Sequence, residues 1–155
     1  MDRSFGKAFT INSSIMVKKL LQTEPQWISL ILRLTLLITF LPHGIQKMRD
    51  YGGMIDILHS AYSLPTIIAA LVPLIEFFAP ILLLIGLGTR PAAALIIIIM
   101  LGAIPYHLDH GFFMNWFGSQ GGEGYQFHVL AIGAAAALFM LGGGKYSLDD
   151  RITNS

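Results

Sequence analysis

Apolar residues arrive in long blocks rather than at the spacing of an amphipathic helix or a half-buried strand. Four blocks, residues 27–44, 65–87, 91–108 and 126–141, read as spans of a bilayer, for which about 20 residues suffice. The second and third are separated only by GLGTRP. There Gly86 and Gly88 suit a helix C-terminus and Pro91 suits the first turn of the next helix, which predicts a tight helical hairpin. The fourth block reads AIGAAAALFMLGGG. Its small residues let backbones approach closely, so it is expected to be the most buried helix.

The pattern predicts an all-α fold, an integral membrane antiparallel four-helix bundle. Ahead of the first span, SSIMVKKLLQTE reads as a short amphipathic segment on the membrane surface. The first 25 residues lack the apolar stretch and small-residue cleavage site of a signal peptide. After a break at Gly52-Gly53, MIDILHSAYSL reads as an interfacial helix in the first loop. The expected division is an amphipathic segment over 1–26, a membrane domain over 27–150 and a tail over 151–155.

Basic residues orient the spans. Arg3, Lys7, Lys18, Lys19, Arg90, Lys145 and Arg151 fall on one side, and only Lys47 and Arg49 on the other. The richer side is expected to be cytoplasmic, with both termini inside and loops 45–64 and 109–125 outside. Composition agrees with the membrane reading. Hydrophobic residues are 54% and charged residues 12%, against about a quarter charged in a soluble domain. A net charge of +1 with no basic stripe argues against nucleic acid. The absence of cysteine excludes a disulfide framework, a CxxC pair and thiolate metal sites.

Glu76 stands in the middle of the second span, and Arg33 lies inside the first. Ionisable residues in a bilayer are costly, face the interior and mark either function or a structural pair. The expectation is that Arg33 balances Glu76, and that Glu76 also exchanges a proton with a ligand. Pro73 and Pro80 add to this by freeing the carbonyls of Ala69 and of Glu76 itself.

A second polar group gathers at the expected outer ends of the spans: His43, His107, Glu123 and His128, with Lys47. Thr35, Thr39 and His43 share a helix face that is expected to turn inward. Imidazoles and carboxylates converging from three helices suit a divalent transition metal, with His43, His107, Glu123 and His128 as ligands. The same groups suit proton relay, or hydrogen bonds to a quinone head group. His59 and His110 read as surface residues. Phe112, Phe113, Trp116 and Phe117 read as interfacial aromatics, or as a lid over the outer mouth.

LRLTLLITFLPHGIQKM, LIEFFAPILLLIGLGTRPAAALIIIIML and GGEGYQFHVLAIGAAAALFMLGGGKYSLDD together resemble the DoxX family of small bacterial membrane proteins, over about residues 28–150. The marks are Arg33, His43-Gly44 with Lys47, Glu76, the GLGTR turn, and Glu123 with His128. The resemblance implies the four-helix fold in the bacterial inner membrane. It also implies a link to quinone-dependent oxidoreductases, oxidative-stress defence or metal handling, as a subunit or accessory protein. Catalysis by this chain, a metal-binding or scaffold role, membrane or periplasmic partner subunits and self-association stay open on that basis.

Overall fold

The computed structural model describes residues 27–155, so the amphipathic segment expected over 1–26 lies outside the described residues. Helix α1 spans Ile28–Arg49, α2 Tyr51–Ser60, α3 Thr66–Ile85 and α4 Thr89–Ala103. A 3₁₀ segment, Ile104–His110, prolongs α4; α5 spans Gln126–Leu141 and α6 Leu148–Thr153. No strand occurs among the described residues. Three helical stretches are long and apolar enough to cross a membrane: Ile28–Arg49, Thr66–Ile85 and Thr89–His110. The apolar α5 is shorter, at 16 residues.

Each of α1, α3, α4 and α5 packs mainly on two of the others: α1 on α3 and α5, and α4 on α3 and α5. Leu36, Phe40, Ala79, Leu83, Ala93, Ile96, Met100, Ala135 and Leu138 fill the space between them. Outward positions are just as apolar. Ile38, Ile67, Ile98, Leu130 and Met140 are each more than half exposed. An apolar exterior around an apolar core belongs in contact with lipid, since it would be a large uncovered patch in water.

The expected hairpin forms between α3 and α4. Gly86 at φ 68° ends α3 in the left-handed region, its N–H bonding to Leu83 O while Leu87 N–H reaches Leu82 O. This is the glycine-terminated helix end that satisfies the last carbonyls. Gly88, also left-handed at φ 59°, starts α4.

Four expectations need correction. Helix α1 does not end near Gly44 but continues through Pro42 to Arg49. The break before α2 lies at Asp50, whose side chain accepts from Gly53 N–H, so the Gly52-Gly53 pair is inside the helix. Thr35 does not turn inward: it is exposed and its hydroxyl donates to Ile31 O at 2.9 Å. A threonine satisfied by its own helix has no need of an interior partner. The buried stripe of α1 is instead Ser29, Arg33, Leu36, Phe40 and Gly44. Finally, α3 buries six residues and α5 only four, because the small side chains of α5 leave Val129, Leu130, Phe139 and Met140 facing outward.

Candidate functional site

Polar chemistry is divided between the two ends of the helices. At one end Arg33, only 1% exposed, is the centre. Its Nε donates to Leu83 O at 2.6 Å and its Nη2 to Leu84 O at 2.6 Å, so it caps the C-terminus of α3. Its Nη1 donates to Gly143 O at 3.1 Å and to Tyr146 O at 2.9 Å in the turn after α5. The guanidinium fork matches this work, because it holds several donors in one rigid plane. Asp149 completes the end by accepting from Gly88 N–H at 2.7 Å and Thr89 N–H at 2.8 Å, the open N-terminus of α4. Burial pushes the Asp149 carboxyl up, but the bonds from Thr89 and Gly88, helped by the Arg33 charge, outweigh it and hold the group below its ordinary value.

Arg33 therefore does not balance Glu76. Gly44 of α1 lies at the level of Glu76: a Cβ built on Gly44 would stand 2.5 Å from Glu76 O. Arg33 is eleven residues earlier on α1, about 16 Å along its axis, and is taken up by carbonyls. The absent side chain at Gly44 lets α1 meet α3 backbone to backbone, just where Pro80 leaves the Glu76 carbonyl without its helical partner. One turn beyond Gly44, the continuation of α1 carries Lys47. Its Nζ lies 2.5 Å from Glu76 Oε2, with the two side chains 25% and 7% exposed. The contact is ionic rather than an aligned hydrogen bond, since Oε2 has no such partner.

This pair is one wall of a cavity of about 370 Å³ at the other end of the helices. His43, His107, Glu123 and His128 line the same cavity, together with the apolar side chains of Phe40, Met100, Met114 and Phe127. The rings of His107 and His128 lie against each other with centroids 4.4 Å apart, tilted by 43°. His107 Nδ1 lies 2.9 Å from Glu123 O, while His128 Nδ1 is buried with no hydrogen-bond partner.

The loop between the 3₁₀ segment and α5 is braced. Tyr125 N–H donates to Gly111 O and Gln126 N–H to Phe112 O. Glu123 Oε2 accepts from Asn115 N–H at 2.8 Å, and Asn115 exchanges two further bonds with Gln120. Among the described residues no three His, Asp or Glu groups converge as a metal site, so the four residues expected to ligate a metal do not form one. Trp116 and Phe117, 78% and 94% exposed, do not cover the cavity; Met114 is what this stretch of the loop places in it. His59 and His110 are exposed.

Three contributors went unforeseen. Asp149, Ser147 and Gly143 build the Arg33 end, and they come from the far end of the chain. Two adjacent acids after an N-capping serine, in SLDD, were the available signal.

No curated protein and no solved structure matches the chain. The profile of the DoxX family matches residues 28–116, more than half of the sequence. The match covers Arg33, Gly44, Lys47, Glu76 and His107, and it stops before Glu123 and His128. With its apolar helices and this match, the chain is a membrane protein that belongs to the DoxX family.

Proposed function

We propose that this DoxX-family protein is a redox-linked, quinone-associated subunit or accessory protein that binds a small head group in the cavity. The observation that carries the reading is the make-up of that cavity. An ion pair, Lys47–Glu76, and the imidazoles of His43, His107 and His128 face one space whose other walls include Phe40, Phe127 and methionines. A flat ring with oxygens at its edge fits such a donor set, with aromatic and thioether groups against its faces.

In this reading the four apolar helices form an antiparallel bundle across the bacterial inner membrane, with both termini in the cytoplasm. The asymmetry of basic residues supports that orientation, in which the cavity lies in the outer leaflet. Lys47 donates to a ligand oxygen. Glu76, released from Lys47, accepts or supplies a proton, and His43 on the exposed side passes it on. A bound quinone supplies two-electron chemistry that the side chains lack, since the chain has no cysteine. The electrons then come from a partner subunit.

The second reading is a non-enzymatic scaffold. The braced loop that presents Trp116 and Phe117 to the outside favours it. Organic extraction of protein purified in mild detergent, followed by mass spectrometry and an optical spectrum, separates the two. Near-stoichiometric quinone supports the redox-linked reading. Protein that carries no quinone and binds none when it is added supports the scaffold.

A further inference from the structure

We propose that the cavity is built to receive a ligand hydroxyl, with Nε2 of His107 as its acceptor and the Lys47 ammonium as donor to a second ligand oxygen, so that the preferred ligand class is a hydroquinone or other phenol. The proposal rests on the reading of the cavity as a quinone-class site, and it specifies which form of the head group the site favours.

The tautomer of His107 carries the argument. Its Nδ1 lies 2.9 Å from the backbone carbonyl of Glu123. A carbonyl oxygen only accepts, so Nδ1 bears the proton. A neutral imidazole has one N–H, and Nε2 therefore keeps its lone pair. Among the described residues nothing hydrogen-bonds to that nitrogen. The Lys47 ammonium lines the same cavity, and a second imidazole, His128, lies against the His107 ring at 4.4 Å, tilted by 43°.

A ligand with carbonyl oxygens alone satisfies Lys47 and leaves His107 Nε2 facing a second acceptor. A hydroxyl in the same place donates to Nε2, and its oxygen still accepts elsewhere. The preference is worth one neutral hydrogen bond, about five- to tenfold in affinity.

Equilibrium dialysis under anaerobic conditions tests this, using detergent-solubilised protein and three probes: 2,3-dimethoxy-5-methylhydroquinone, its di-O-methyl ether, and the parent benzoquinone. The expected result is that wild-type protein binds the hydroquinone about fivefold or more tightly than either other probe. His107→Phe should bring the three within about twofold of one another, whatever its effect on the absolute affinities. His107→Gln, whose amide oxygen accepts, should restore part of the preference. Wild-type protein that binds benzoquinone and hydroquinone equally overturns the hydroxyl preference and leaves the quinone-site reading standing. Wild-type protein that binds none of the three overturns both.

Discussion

Lys47 and Glu76 meet between α1 and α3, ammonium nitrogen to carboxylate oxygen at 2.5 Å, at the floor of a cavity that three histidines also line. Each charge makes the other tolerable at that depth. Removing one partner leaves the other buried and unbalanced, which costs about 3–5 kcal/mol, whereas removing both is far milder. In thermal unfolding in detergent, Lys47→Met and Glu76→Leu should each destabilise more than the double variant does. Additive effects would show that the two are not coupled.

Arg33 is coupled to neither. Its four acceptors are backbone carbonyls, and it lies about 16 Å along α1 from the level of Glu76. Arg33→Lys offers fewer donors in the wrong geometry, so about 2 kcal/mol or more of stability should be lost. Combined with Glu76→Leu, the losses should add to within about 0.5 kcal/mol, as for distant sites without shared partners. A large non-additive remainder in that double variant would contradict this separation.

Gly44 sets the approach of α1 to α3. A methyl group at this position meets the backbone of Glu76 and Phe77, which cannot swing aside as a side chain would. Gly44→Ala should cost about 1–3 kcal/mol, the usual penalty of forced overpacking. Gly102, in α4 with open space where a Cβ would go, is the control. Gly102→Ala should be neutral or stabilising by up to about 1 kcal/mol, since alanine is the better helix former. Equal losses at both positions would overturn the close-approach account.

Asp149 gives the Arg33 end a pH dependence with a defined sign. Its carboxyl is held below the ordinary carboxylate value in the folded protein. Its contribution is therefore present above the unfolded value, about 3.9, and is lost as pH falls through the lower, folded value. Melting temperature followed downward from neutral pH should fall at the acid end, and Asp149→Asn should flatten part of that fall. An unchanged acid limb in the variant would contradict the capping role.

The hairpin was legible in the sequence because left-handed glycines and a first-turn proline leave few alternatives, and Gly86, Gly88 and Pro91 occupy those positions. The depth of Glu76 was legible for a similar reason, as one carboxylate in an apolar run. Its partner was not. The first apolar block stops at Gly44, which put Lys47 in the loop over 45–64, whereas the helix carries it one further turn onto α3. The acceptors of Arg33 were invisible because backbone carbonyls have no sequence signature. Asp149 reaches the α4 terminus across 61 positions of chain, a separation that no local pattern encodes.

The central claim is that the cavity between Lys47, Glu76 and the histidines holds a small ligand. Filling it without touching a charge tests that claim most directly. Ala103 lines the cavity and is only partly buried, so a larger side chain there occupies the ligand's space at little structural cost. The measurement is the binding of a short-chain quinone to Ala103→Phe in detergent, beside its melting temperature. The account predicts an affinity loss of about tenfold or more, with a melting temperature close to that of the parent. Unchanged quinone affinity in a folded Ala103→Phe protein would contradict it.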